Sequence, residues 1–234
     1  MADLKKLLAG GGTAVLVNLG FNSPVLVEHL AGLGFDAVMI DCEHTSASVE
    51  SVEDLARAAR ASGIAAIVRP EKFDEALITR YLDCRVAGIM VPHVDDAPTA
   101  RRIVDAVRYA LPDRHQDITI IVMLESATAI ANLDEILAVD GIDAYFLARV
   151  DLSKSMGYGG DRKHPAVVDC VRRSIARIRA AGRCAGAGAD YGAEGEIVRQ
   201  GARLLFVGTK GLLEPGARAY LDSVARAGDG SGPA

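Results

Sequence analysis

The sequence predicts a (β/α)8 barrel, or TIM barrel, with one extra helix ahead of its first strand, and three observations predict it. Eight apolar runs of strand length alternate with helical patterns along the chain, the arithmetic of parallel strands joined by crossover helices. Several runs are apolar throughout and then end in titratable residues, as buried strands do where their C-terminal ends open into a site. No glycine fingerprint follows the first strand, which argues against a doubly wound sheet. With 234 residues and 50% hydrophobic content, the chain is long enough for one large core. Residues 1–226 are therefore read as a single barrel domain, and 227–234 as a flexible C-terminal tail.

The opening MADLKKLLAGG reads as a short amphipathic helix stopped by Gly10, Gly11 and Gly12. It has neither the apolar stretch nor the cleavage site of a secretory leader. Residues 12–20 form the first strand, and Asn22 and Ser23 ahead of Pro24 mark a helix start. The second strand, 35–40, closes on Asp41, Glu43 and His44, with a helix over 52–61 behind it. The third, 65–68, ends in Arg69 and Pro70, and the fourth, 88–91, leads into Pro92, His93 and Asp95; helices over 75–82 and 97–109 follow them. The β-branched run 118–124 reads as a fully buried fifth strand, closed by Glu125 and Ser126 and followed by one helix over 127–137. The sixth strand, 142–147, opens into the longest loop on its side, 149–163, ahead of a helix over 166–180. A weak small-residue strand at 184–189, a short helix at 194–199, an eighth strand at 204–207 and a helix over 213–226 complete the chain.

The net charge of −5 is spread rather than blocked, so there is no footprint for nucleic acid or an anionic membrane surface. No apolar run approaches the roughly 20 residues that a membrane span needs. Cys42, Cys84, Cys170 and Cys184 are widely spaced and form no CxxC pair, which points to reduced thiols and a cytoplasmic protein.

In a barrel, the residues just past each strand converge on one face however distant they are in sequence. Glu125 and Asp151, after neighbouring strands, suit a hard divalent cation held through oxygen; a helix cap and a salt bridge to Arg149 are the structural alternatives. Arg69 offers fixed donors to a carboxylate or a developing enolate oxygen, or else makes a buried ion pair. His44 is the proton-transfer candidate, because its ordinary pKa lies near neutrality, and Asp41 is placed to orient its ring. Glu43 is expected to turn away toward a structural or subunit contact, and His93 ranks behind His44. Together these residues predict an enzyme that forms and protonates an enolate on a bound divalent metal.

The segments GFDAVMIDCEH, VRP, the LD at Leu82 and Asp83, GIMVPHVD, LESATAIANLDEILAVDGIDAYFL, DLSKSMGY and HPAV lie between residues 34 and 167, within a resemblance that runs over residues 10–215. They resemble the HpcH/HpaI aldolase family, metal-dependent class II pyruvate aldolases that cleave acids such as 4-hydroxy-2-oxoheptanedioate and 2-keto-3-deoxy sugar acids. The resemblance implies that Glu125 and Asp151 bind Mg²⁺, Mn²⁺ or Co²⁺, and that Arg69 steadies the pyruvate enolate. It makes His44 and Asp41 a base dyad acting on the aldol hydroxyl, with Asp83 supplied near it across a subunit boundary. It further implies a homohexamer, a trimer of dimers with the last helix exchanged, acting on a 2-oxo acid and an aldehyde.

The chain departs from that family at Met123, where glutamine is usual, and at Ala148, Arg149 and Val150, where Gly-Pro-Ala precedes the second ligand. Lys210 stands where aspartate is usual, Arg85 and Val86 replace a Gly-Ala turn, and residues 111–117 are a shortened wall segment. Met123, Ala148, Arg149, Val150 and Lys210 fall in the implied substrate seat, where Arg149 and Lys210 would favour a more anionic substrate. The implied reaction cleaves or forms the C3–C4 bond of a 4-hydroxy-2-oxo acid through a metal-bound pyruvate enolate. The alternatives are a condensing enzyme or carbon–carbon lyase on a related di- or tricarboxylic acid, citrate-synthase-like or CoA-dependent, and a non-catalytic binding barrel.

Overall fold

Eight parallel strands pair in chain order and the last pairs back to the first, which closes the barrel the sequence predicts. The structure is a computed structural model describing residues 3–188 and 191–228. The strands are β1 (Ala14–Asn18), β2 (Ala37–Asp41), β3 (Ala65–Arg69), β4 (Gly88–Val91), β5 (Thr119–Leu124), β6 (Ala144–Leu147), β7 (Ala185–Gly188) and β8 (Leu204–Gly208). The helices before the fifth strand are α1 (Leu4–Ala9), α2 (Pro24–Gly32), α3 (Val49–Ser62), α4 (Glu75–Asp83) and α5 (Ala97–Ala110). Those after it are α6 (Ala127–Ala131), α7 (Leu133–Leu137), α8 (Arg149–Ser155), α9 (Pro165–Ala180), α10 (Glu194–Gln200) and α11 (Thr209–Gly228).

Side chains alternate along a strand, and this alternation sorts the core into two layers. Leu16, Met39, Ile67, Met90, Ile121, Met123, Phe146 and Leu204 fill the barrel interior. Val17, Val38, Val68, Ile89, Val122 and Tyr145 pack outward beneath the helices. Leu4 and Leu8 of α1 join the interior layer, so the extra helix seals the N-terminal end of the barrel. Each of these buried leucines contributes about 1.5–3 kcal/mol. Continued one step beyond the apolar filling, the inward parity reaches Asn18, Asp41, Arg69 and Glu125.

Helix starts at the opposite, C-terminal end are fixed by side-chain caps: Ser23, Ser48, Asp74, Asp96 and Ser126 each accept a hydrogen bond from the amide three residues on. Such caps satisfy amides that the helix itself leaves unpaired. At Gly88 the chains approach too closely for a side chain, because a Cβ there would lie 2.4 Å from the Thr119 carbonyl oxygen.

Several boundaries differ from the sequence reading. Residues 149–155 are helical rather than loop; this turn has no side-chain cap at Ala148 to announce it. The expected helix over 127–137 divides at Asn132, whose side chain donates to the Asp95 carbonyl at 2.9 Å. The last helix begins at Thr209, directly after β8, and runs through Pro215. Its end reaches into the expected tail; residues 229–234, like Ala189 and Asp190, lie outside the described residues. Among the described residues, no helix is long and apolar enough to cross a membrane.

Candidate active site

A cavity of about 510 Å³ opens at the C-terminal ends of the strands. Its floor is apolar, built from Met39, Met90, Met123, Phe146 and Phe206. The two phenylalanines meet edge to face with 5.4 Å between ring centroids. Its walls carry the cationic side chains of Arg69, Arg149, Lys154 and Arg162, together with His44, set against Asp151.

Arg69 is buried and grips Asp41 in two places, donating from Nε to Oδ1 at 2.9 Å and from Nη2 to Oδ2 at 2.6 Å. Asp41 Oδ1 also accepts from the backbone amides of Glu43 and His44 at 3.1 and 3.2 Å. Asn18 Nδ2 donates to Oδ2 at 3.3 Å. Burial alone would push the Asp41 carboxyl up, but the Arg69 guanidinium and the amide donors outweigh it and hold the carboxyl below its ordinary value. Asp41 therefore orients Arg69, and it meets His44 through the backbone rather than through the ring. The expected ring contact does not form, because the chain folds its amides back onto the carboxylate just past the strand. The His44 ring is exposed, with Nε2 3.8 Å from Glu43 Oε2.

Glu43 does not turn away as the sequence reading expected. The chain bends just past Asp41, with the Glu43 amide folded back onto that carboxylate, and the bend carries Glu43 into the site. Its side chain is only 13% exposed, with Oε2 3.1 Å from Arg69 Nη1 and Oε1 3.2 Å from His93 Nε2. His93 in turn donates its backbone N–H to Glu125 Oε1 at 2.6 Å, and its ring Nδ1 stands 3.0 Å from the same oxygen. Glu125 is 4% exposed. Burial raises its carboxyl pKa and the charges of Glu43 and Asp151 raise it further, while the His93 amide and ring pull the other way. Asp151 lies in the first turn of α8, where Lys154 Nζ donates to its Oδ1 at 2.9 Å.

Of the expected substrate-seat residues, Met123, Ala148, Arg149 and Val150 line the cavity. Lys210 is not among the lining residues; it is exposed in the first turn of α11, with its ammonium 5.9 Å from the centre of the Phe21 ring. The absence of a loop between β8 and α11 places it there. Asp83 is exposed at the C-terminal end of α4, and barrel helices run from the mouth toward the opposite face. Within one chain it takes no part in the site. The sequence reading placed Glu43 and His93 at the strand ends but ranked both below His44; their contacts with Arg69 and Glu125 had no signal beyond the position of each just past a strand.

Among the described residues, no group of three or more His, Cys, Asp or Glu is arranged to hold a metal. Glu125 and Asp151 nonetheless fit an ion of the magnesium type, which takes one or two protein carboxylates and completes its shell with water and substrate oxygens. A buried carboxylate facing like charges, as Glu125 does, is also one whose anionic form a cation would stabilise.

A closed barrel that gathers an arginine, buried carboxylates and a histidine at its C-terminal mouth defines a barrel enzyme. The sequence profile of the HpcH/HpaI aldolase/citrate lyase family matches residues 15–213, and the chain belongs to that family. It is 31% identical over 233 residues to the 2-keto-3-deoxy-L-rhamnonate aldolase of Klebsiella pneumoniae, across 89% of this chain and 87% of the relative. It is 36% identical over 205 residues to the hydroxypyruvate/pyruvate aldolase of Deinococcus radiodurans, across 78% of this chain and 74% of that protein. The crystal structure of the citrate synthase SbnG matches with a TM-score of 0.89 and 28% identity, over 98% of this chain and 100% of that one. Family membership makes the protein a carbon–carbon lyase in general terms.

Proposed function

We propose that the protein is a divalent-metal-dependent aldolase that cleaves or forms the C3–C4 bond of a 4-hydroxy-2-oxo acid, with the enolate of pyruvate as the intermediate. Glu125 carries this reading: it is a nearly inaccessible carboxylate, raised by burial and by neighbouring carboxylates, next to the guanidinium-bearing cluster. Glu125 and Asp151 would hold Mg²⁺, Mn²⁺ or Co²⁺, which when bound supplies a Lewis acid for the keto oxygen.

The remaining steps belong to the chain's own residues. Of the five N–H donors of Arg69, two are given to Asp41 and a third lies nearest Glu43. The rest are available to the substrate carboxylate or the developing enolate oxygen. His44, at the rim, takes the C4 hydroxyl proton during cleavage and returns it during condensation. As the C3–C4 bond breaks, its electron pair stays with C3, the aldehyde carbonyl forms at C4, and C3 then takes a proton from solvent, to which His44 gives up the one it took. Met123, Ala148, Arg149 and Val150 shape the seat around the acid. A homo-oligomer is part of the proposal, because α11 exposes Leu213, Tyr220, Leu221 and Val224 at 55–69%. Only across such a contact would Asp83 approach a site.

A second reading is a condensing enzyme on a related di- or tricarboxylic acid. The similarity to a citrate synthase and the cationic cavity wall of Arg69, Arg149, Lys154 and Arg162 favour it. One screen separates the two: pyruvate release by metal-stripped protein from a panel of 4-hydroxy-2-oxo acids, with and without Mg²⁺ or Mn²⁺, beside turnover of oxaloacetate and of CoA thioesters. Metal-restored aldehyde and pyruvate release is expected. Activity indifferent to chelation sinks the metal-dependent reading, and turnover of oxaloacetate or a thioester with little aldehyde release selects the second.

A further inference from the structure

Among the described residues of the mouth, His93 is the one non-glycine with a left-handed backbone, at φ 56°. A side chain in that region costs about 1–2 kcal/mol, so the surrounding contacts must hold it. Those contacts are specific. The turned backbone aims the His93 N–H at Glu125 Oε1 at 2.6 Å, and the ring comes back to the same oxygen with Nδ1 at 3.0 Å. The other ring nitrogen stands 3.2 Å from Glu43 Oε1, and the second oxygen of Glu43 is 3.1 Å from Arg69 Nη1. Arg69, Glu43, His93 and Glu125 thus form an unbroken run from the guanidinium to the buried carboxylate.

We propose that His93 is a positioning residue: it clamps Oε1 of Glu125, leaves Oε2 as the oxygen offered to the cation, and ties that carboxylate through Glu43 to Arg69. The inference rests on the metal-dependent reading above. Outer-shell partners of this kind fix ligand direction, and their removal typically costs about 10- to 100-fold in metal affinity.

The test is Mn²⁺ affinity of the full, metal-stripped protein, read from free Mn²⁺ by electron paramagnetic resonance, with thermal melting as the check on folding. His93→Ala is expected to weaken Mn²⁺ binding by about 10- to 100-fold. His93→Asn tolerates the left-handed backbone and carries a side-chain N–H donor, and is expected to fall between that variant and the parent. Glu43→Gln is expected to weaken binding too, and combined with His93→Ala to cost less than the product of the two effects, because both break one run. Parental affinity in folded His93→Ala, or in His93→Asn where the alanine variant does not fold, overturns the inference and leaves the metal-dependent reading standing. Strictly multiplicative effects overturn the link through Glu43. Absence of Mn²⁺ binding by the parent protein overturns both the inference and the reading beneath it.

Discussion

Arg69 and Asp41 meet edge to edge, with Nε 2.9 Å from Oδ1 and Nη2 2.6 Å from Oδ2, and both side chains are buried. Removing one partner of a buried pair strands the other, at a cost of about 3–5 kcal/mol. Arg69→Ala is therefore expected to lower unfolding stability in urea by about that amount. Arg69→Lys should cost less while losing the two-point grip. A parental denaturation midpoint in Arg69→Ala would mean that the pair contributes nothing to the fold.

The same contact sets a pH dependence. Asp41 is held below its ordinary value, near 3.9 for an exposed aspartate, so its stabilising contribution is complete above that value and is lost as pH falls through the lower folded one. Glu125 is raised, so its contribution runs the other way: it is complete at acid pH and lost as pH rises through the raised value. Comparing melting of the parent and Asp41→Asn from about pH 6 to about pH 3 isolates the aspartate. The parent should lose its advantage over the variant toward the acid end. A gap that stays constant across the range would contradict the depressed value.

His44 is assigned to the aldol hydroxyl, a group that decarboxylation of oxaloacetate lacks. His44→Ala should slow aldol cleavage by about 100- to 10,000-fold, the usual worth of a positioned acid–base group, and slow decarboxylation far less. Steady-state rates on the two substrates decide it. Equal losses in both reactions would remove the residue from that role.

Leu213, Tyr220, Leu221 and Val224 recur at helical spacing along α11 and are 62%, 69%, 65% and 55% exposed in the single chain. An apolar stripe of this kind marks an interaction surface. Light scattering should give the parent protein a mass several times that of one chain, and a Tyr220→Glu, Leu221→Glu double variant should shift it toward the monomer. A monomeric parent would leave the stripe without the proposed partner.

Much of this site was legible because strand ends in a barrel are read by position. Arg69 and Glu125 follow apolar runs of strand length, and those runs alone place them in the mouth. Glu43 was misjudged because strand alternation was extended past Asp41, where the chain instead bends and brings Glu43 to Arg69 and His93. The ring of His44 was assigned to Asp41 from spacing, but the structure commits that carboxylate to Arg69 and to two amides. Lys210 was expected in a loop, and nothing in VGTKG distinguishes a loop from a strand passing directly into a helix. The positive φ of His93 has no sequence signature, because few non-glycine residues adopt it, and the contacts that hold it there come only from the folded chain.

The apolar floor of Met39, Met90, Met123, Phe146 and Phe206 has a kinetic corollary, since a cavity closed at its base opens only at the mouth. Under the proposed cleavage, fragments formed there would queue: the aldehyde, cut from the outer part of the acid, would depart before the three-carbon remainder behind it. In the joining direction the order inverts, so the keto acid enters first and the aldehyde follows. Excess aldehyde should then obstruct loading of the acid, and initial-rate plots should show an ordered rather than a random pattern.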